Sequence, residues 1–208
     1  MKNKSFIIVA VLMIVFIAGA ALLYHTLAPQ LEQNNLINSD VSQNENEQNS
    51  EVSDDAEQSE NETDSESQKT KAFDFVVYDA QENEVKLSDY IGKPVILNFW
   101  ASWCGPCKSE MPAFEEKYKE YGDEIQFMMI NVTDGDRDTF DSAVDFIEDS
   151  GYTFPAFYDT QLDASGKYYV YYLPTTYFID AEGYLVTYAT SALSAEVLQT
   201  GIDMIYTP

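Results

Sequence analysis

The strongest constraint on this chain is a single stretch, Val95 to Pro112. It opens on Val95 to Trp100, a β-prone run that is apolar except for Asn98, and runs into Trp103-Cys104-Gly105-Pro106-Cys107. Met111, Phe114, Tyr118 and Tyr121 then follow at i, i+3, i+7 and i+10. A continuous apolar run bounded by turn residues reads as a central buried strand, and the later spacing reads as one face of a helix. Any fold of this chain must therefore place two thiols, two residues apart, where a buried strand hands over to a helix N-terminus. They are the only 2 cysteines in the chain.

That placement has a chemistry. A thiol attacks a disulfide only as its thiolate, and the unpaired N–H groups and positive dipole end of a first helical turn stabilise the anion. The first cysteine of such a pair receives that environment and some exposure, whereas the second lies about one turn deeper. Cys104 is thus the expected nucleophile and Cys107 the thiol that resolves the mixed disulfide. Gly105 permits the turn, and Pro106 at the start of the helix gives up a donor that would be unpaired anyway. Two other readings of the pair are a zinc half-site and a structural disulfide. Zinc normally takes four ligands; there is no second Cys pair and the only His is His25, at the end of the apolar segment, so no metal site is expected. A disulfide across two intervening residues closes a very short loop and adds little stability. No cofactor beyond the redox-active Cys104–Cys107 pair is expected.

Charge narrows the class of partner. The chain has 36 acidic and 11 basic side chains, and residues 71–208 alone carry 24 and 8. Such a surface repels phosphate backbones, which argues against nucleic acid, and repels anionic lipid, so membrane attachment would need a hydrophobic anchor. Phe6 to Tyr24 supplies one: 19 uncharged residues, about 28 Å as a helix, between a short segment with two lysines and a long acidic one. The positive-inside rule puts the N-terminus in the cytoplasm and everything after Tyr24 outside. The alternative is a cleaved signal peptide ending at Ala18-Gly19-Ala20, which also delivers the domain outside. Residues 29–70 contain no aromatic side chain and are rich in Gln, Asn, Ser, Glu and Asp. They cannot bury enough apolar surface to offset chain entropy, so a disordered spacer of roughly 35 Å is expected. The division is 1–28 anchor, 29–70 linker and 71–208 folded domain.

Within the domain, strands are expected at Phe73 to Tyr78, Val95 to Trp100, Ile125 to Val132, around Phe157, and at Thr175 to Ile179 and Tyr184 to Ala189. The last two are joined by the turn Asp180-Ala181-Glu182-Gly183. Helices are expected at Gly105 to Tyr121, kinked at Pro112, at Thr139 to Ser150, and after the capping Ser194, with a short helical turn at Leu87 to Ile91. Leu162 to Tyr172 is a Tyr-rich helix or irregular segment. This order implies an α/β fold, a central mixed sheet with helices on both faces.

Four stretches together resemble the TlpA/ResA-like, membrane-anchored branch of the thioredoxin superfamily. They are Leu87-Ser-Asp-Tyr-Ile-Gly-Lys-Pro94, Leu97-Asn-Phe-Trp-Ala-Ser-Trp-Cys-Gly-Pro-Cys107, Lys108-Ser-Glu-Met-Pro112 and Leu173-Pro-Thr-Thr-Tyr-Phe-Ile-Asp180. The resemblance implies a thioredoxin-like fold in which Asp134 to Tyr172 contains an inserted helix and strand. It implies that Pro174 is the superfamily's cis-proline and that Leu173 offers its backbone to a substrate strand. Glu110 matches the branch's acidic residue three positions after the second cysteine, a possible proton acceptor during exchange. Asn98 stands where cytoplasmic thioredoxins carry a buried Asp, so that proton route is absent and any such role moves to Glu110 or water. Trp100 and Trp103 are assigned to packing in the core and at the rim of the site. Tyr168, Tyr169, Tyr171 and Tyr172 are candidates for a substrate groove, against ordinary packing.

The implied activity is thiol-disulfide exchange outside the cytoplasm. The Gly105-Pro106 dipeptide resembles that of reducing thioredoxins and favours a reductant. Implied substrates are oxidised apocytochrome c, other exported proteins, or an extracellular methionine sulfoxide reductase, with electrons from a CcdA/DsbD-type membrane protein. A disulfide-forming oxidase and a non-catalytic tethered docking module are the alternatives. A peroxidase of the related peroxiredoxin type is disfavoured, because Ala101 stands where that chemistry places a Thr.

Overall fold

The computed structural model describes residues 69–208 together with Ile37–Asn38. The run Phe6 to Tyr24 and the rest of the 29–70 linker lie outside the described residues. Among the described residues no helix is long and apolar enough to cross a membrane.

The architecture is a mixed sheet with β4 (Val95–Trp100) at its centre. Six consecutive buried residues cover β4 along its whole length on both faces. It pairs in parallel with β5 (Gln126–Asn131) and antiparallel with β7 (Thr175–Ile179). Beyond β5 lie β6 (Ala156–Tyr158), parallel to it, then β2 (Val76–Tyr78) and β3 (Glu84–Lys86). Beyond β7 lies β8 (Leu185–Ala189), antiparallel to it. The helices are α1 (Gly105–Tyr121), α2 (Phe140–Ser150), the short α3 (Asp163–Lys167) and α4 (Ala195–Ile205).

Alternation along β4 and β5 sorts side chains into two cores. Ile96, Trp100, Phe127 and Met129 face one way and pack with Met111 and Phe114 of α1, Ala143 of α2, and Val197, Leu198 and Ile202 of α4. Val95, Leu97, Phe99, Met128 and Ile130 face the other way and pack with Phe75, Val77, Leu87, Ala164 and Tyr168. The expected helices on both faces are thus unevenly divided. Three long helices share one face, and the other is closed by α3, the 3-10 turn at Leu87–Asp89 and aromatic side chains. Both cysteines and Asn98 belong to the helical side.

Local chemistry explains the boundaries. Ser194 accepts from Val197 N and starts α4, and Thr139 and Ser142 form a reciprocal cap at the start of α2. α1 runs unbroken through Pro112, which occupies an interior position. Gly183 sits at φ 82° in the β7–β8 turn, a conformation in which a Cβ would be strained. Gly201 of α4 lets the helix approach the sheet, since a Cβ there would lie 2.3 Å from the Phe178 ring.

Two expectations are corrected. The strand expected over Phe73 to Tyr78 begins only at Val76. Asp74 instead turns the chain, accepting from Phe75 N and from Ser88 N, and Asp163 at the start of α3 accepts from Val76 N. Its antiparallel partner β3, Glu84–Lys86, is too short and too charged to register as a strand by pattern. Within the expected linker, Ile37–Asn38 forms β1 and pairs antiparallel with β8, Ile37 opposite Tyr188 and Asn38 opposite Thr187. These two residues depart from the disordered spacer because the outer edge of β8 presents backbone donors and acceptors that a passing chain satisfies.

Candidate active site

The strand-to-helix handover puts the two cysteines in unequal places. Cys104 is the N-cap of α1 with an extended backbone, and Cys107 lies in the first turn after Pro106. Cys107 has no exposed surface and Cys104 keeps 4 % of its own. The structure holds them as a disulfide, and Cys107 N donates to Cys104 Sγ at 3.2 Å. That N–H is one of the unpaired donors of the helix start, directed at the sulfur that would carry charge after reduction. Gly105 and Pro106 are exposed and leave the approach to Cys104 open.

Glu110 is one turn beyond Cys107 and is 2 % exposed. It is not a solvated helix acid. Its Oε1 accepts from Asn98 Nδ2 at 2.8 Å, and its Oε2 accepts from Leu193 N at 2.8 Å, just ahead of α4. Burial pushes its carboxyl up to about 7, against the opposing pull of the Leu193 and Asn98 hydrogen bonds. The same Asn98 amide also contacts Thr176 Oγ1 at 3.0 Å, and register explains why. Asn98 and Thr176 are opposite one another on β4 and β7, so their side chains share the face that carries α1. Asn98 Oδ1 has no partner among the described residues. The side chain thus offers both amide functions beside Glu110: a donor for the carboxylate and, with the amide turned, an acceptor for the protonated acid.

The peptide bond Leu173–Pro174 is cis, as expected from the resemblance. No hydrogen bond engages the Leu173 main chain among the described residues, and its side chain packs against both cores. Trp103 lies at the rim, 40 % exposed, whereas Trp100 is wholly buried and packs on Phe146 of α2. The four tyrosines divide. Tyr168 is core, donating its hydroxyl to Phe73 O. Tyr169, Tyr171 and Tyr172 are exposed and, with Thr175, Tyr177 and Tyr188, line a cleft of about 380 Å³ against β8. Thr175 and Tyr177 lie on the face of β7 opposite Thr176, so this cleft opens away from the disulfide.

Sequence reasoning missed several residues that fix the site. Thr176 and Leu193 complete the surroundings of Glu110, and neither carries a local signal, since one acts through strand register and the other through a main-chain donor. Asp138, fully buried, accepts from Ser102 N, Ser102 Oγ, Asn131 Nδ2 and Ser142 Oγ, tying the loop after β5 to the residue before Trp103. Glu115 accepts from Thr153 N, Thr153 Oγ1 and Phe154 N and so joins α1 to the entry of β6. Burial alone would raise its carboxyl, but those bonds and the Lys119 ammonium hold it below the ordinary value. Among the described residues no group of His, Cys, Asp or Glu could hold a metal ion.

Comparison with known proteins agrees with this geometry. The model of the AhpC/TSA family matches residues 69–188, more than half of the chain. The thiol-disulfide oxidoreductase ResA of Geobacillus kaustophilus is 37 % identical over 133 residues, which cover 64 % of this chain and 74 % of that protein. Among solved structures, a DsbF homologue from Corynebacterium diphtheriae superposes with a TM-score of 0.59 at 28 % identity, covering 66 % of this chain and 88 % of the other. The pneumococcal exposed lipoprotein thioredoxin of Streptococcus pneumoniae superposes with a TM-score of 0.54 at 32 % identity, covering 63 % and 99 %. A CxxC disulfide on a helix N-cap, a cis-proline and this kinship lead to one assignment: the chain belongs to the AhpC/TSA family and, within the thioredoxin-like proteins, to the ResA-like thiol-disulfide oxidoreductases.

Proposed function

We propose that this oxidoreductase is tethered at the outer face of the cell membrane and reduces disulfides in exported proteins. The observation that carries the exchange chemistry is the Cys104–Cys107 disulfide on the N-cap of α1, with Cys104 the only one of the two residues that keeps any exposed surface. In the reduced protein the Cys104 thiolate attacks one sulfur of a substrate disulfide, and the other leaves as a thiolate. Cys107 then gives up its proton and attacks Cys104 Sγ. The second substrate thiol is released, and the protein is left oxidised, having passed on two electrons. Glu110, titrating near neutrality one helical turn from Cys107, is the candidate acceptor for that proton. Leu173 presents an unpaired main chain that suits an extended substrate segment.

The direction rests on the Gly105-Pro106 dipeptide, and the location on the apolar run Phe6 to Tyr24 and the acidic segment after it. The pneumococcal relative is itself an exposed lipoprotein, which supports the same side of the membrane. Oxidised apocytochrome c or an extracellular methionine sulfoxide reductase are suitable substrates, and a CcdA/DsbD-type membrane protein is the electron source such a site requires. Equilibrating the pair against a thiol buffer tests the direction. A potential well below about −180 mV is the expected result, and one near about −120 mV would mark a disulfide-forming oxidase instead.

A further inference from the structure

Arg137 is the only arginine in the chain. Its guanidinium carbon lies 3.4 Å from the centroid of the Trp103 ring, the indole immediately before Cys104. The placement is built rather than incidental. Asp134 Oδ1 accepts from the backbone N–H groups of Asp136, Arg137 and Asp138 at 2.9, 2.8 and 3.0 Å, which folds the loop into a tight turn. The buried Asp138 then takes Ser102 N at 2.6 Å and Ser102 Oγ at 2.7 Å. The loop that carries the cation is therefore fastened to the residue beside the indole it covers.

The backbone N–H of Asp138 and, to a smaller extent, the Arg137 cation help to hold the Asp134 carboxyl below its ordinary value. Every ion pair among the described residues is made by a lysine, however, and no side-chain donor of Arg137 is hydrogen-bonded there. Stacking occupies only the face of the guanidinium. Its in-plane N–H fork, the part that matches a carboxylate with two parallel bonds, stays available at the rim of the disulfide. The surrounding domain carries 24 acids against 8 bases, so a carboxylate approaching elsewhere meets a repulsive field.

We propose that Arg137, held on Trp103, forms a substrate subsite that receives the carboxylate of an Asp or Glu flanking the reactive cysteine of a protein disulfide. Arg137 is a positioning residue here: it fixes the register of the substrate segment over Cys104 without entering the exchange. The inference requires disulfide exchange at Cys104 but not the reductive direction, so a potential near that of an oxidase would leave it standing.

The test uses the full chain and two disulfide-bonded peptides that differ only in Glu or Gln beside one cysteine. The wild type should show a KM about three- to fivefold lower for the Glu peptide, the range of an exposed ion pair, and the preference should vanish at high salt. Arg137→Gln should abolish the preference, bringing the KM for the Glu peptide up to that for the Gln peptide. Arg137→Lys, which keeps the charge but loses the fork and the stack, should restore part of it. A wild type without preference overturns the proposal, as does an Arg137→Gln variant that changes both peptides alike, or a preference that Arg137→Lys does not recover at all.

Discussion

The two faces of the central sheet are built from the same strands yet handle buried polarity in opposite ways. On the face that carries α1, α2 and α4, Asn98, Glu110 and Thr176 lie buried among apolar neighbours, and one acceptor, Asn98 Oδ1, is left without a partner. On the other face the hydroxyls carried by β7 and its neighbours are matched, Thr175 Oγ1 donating to Tyr172 O at 2.8 Å and two phenols donating to main-chain oxygens. Tyr168 donates to Phe73 O and Tyr177 donates to Tyr168 O, at 3.0 and 2.8 Å. Burial raises both phenols further above the physiological range, Tyr177 to about 12, so neither changes charge in working conditions. Glu110 is brought to about 7, where it does. The difference separates a face with a buried carboxyl that titrates near neutrality from one whose buried phenols stay neutral.

The sharpest way to break this comparison is to remove the thiols. Cys104→Ser should abolish disulfide exchange altogether, measured as turnover of a model disulfide. Cys107→Ala should also abolish turnover but retain attack, so that mixed disulfides through Cys104 accumulate and are seen by mass spectrometry. Equal loss without trapped species would mean that Cys104 is not the attacking sulfur.

Glu110→Gln is the next largest effect. With no group to accept the Cys107 proton, resolution of the mixed disulfide should slow by about 10²-fold, while the initial attack by Cys104 is unchanged. The rate of resolution in the wild type should rise as pH passes through about 7, and the variant should lose that rise. Stability should move the other way. The folded protein holds the Glu110 proton more tightly than the unfolded chain, whose value is 4.5, so the wild type loses stability as pH rises from about 4.5 to about 7. At pH 8 the full linkage is about 3 kcal/mol, and Glu110→Gln should recover a part of it in urea unfolding. A variant that is slower but shows the same pH-dependent stability as the wild type would sever the site from its buried charge.

Gly201→Ala tests packing on the same face without touching its chemistry. The added methyl would meet the Phe178 ring at 2.3 Å, so α4 must shift, at a cost of about 1–3 kcal/mol in urea unfolding. Because Leu193, which donates to Glu110, directly precedes α4, the pH profile of resolution should shift as well. A loss of stability with an unchanged profile would show that the helix and the acid are independent.

Much of this arrangement was legible in the residues. The buried run at β4, the helix from Gly105, the helix beginning near Thr139, the cap at Ser194 and the β7–β8 turn follow from local pattern, because each is decided within a few positions. Glu110 and Asn98 were also singled out, but as separate features. Their direct hydrogen bond depends on strand alternation meeting a helix twelve residues later, and the roles of Thr176 and Leu193 depend on pairing across 78 and 83 positions. The Asp138 latch was invisible for the same reason, since its bond to Ser102 spans 36 positions, whereas β3 was missed because Glu84–Lys86 is too short and too charged to show a strand pattern. The tyrosines of 168–172 looked alike in sequence and fell into opposite classes, one buried and three exposed, since only Tyr168 meets the rings of Phe75, Phe99 and Tyr177.

The smallest expected effect sharpens the comparison from its quiet side. Tyr168→Phe removes one hydroxyl and keeps the ring contacts with Phe75, Phe99 and Tyr177. Phe73 O loses its donor, and Tyr177 keeps its own because it bonds to the Tyr168 main chain, which the substitution does not alter. The loss should be about 1 kcal/mol of stability, the net value of one hydrogen bond, with no dependence on pH between 5 and 8 because no group there titrates in that window. Turnover, the potential of the cysteine pair and the pH profile of resolution should all match the wild type. Any change in those three would show that the aromatic face communicates with Glu110 through β4, where Phe99 and Asn98 are neighbours pointing to opposite sides, and the separation of labour between the faces would fail.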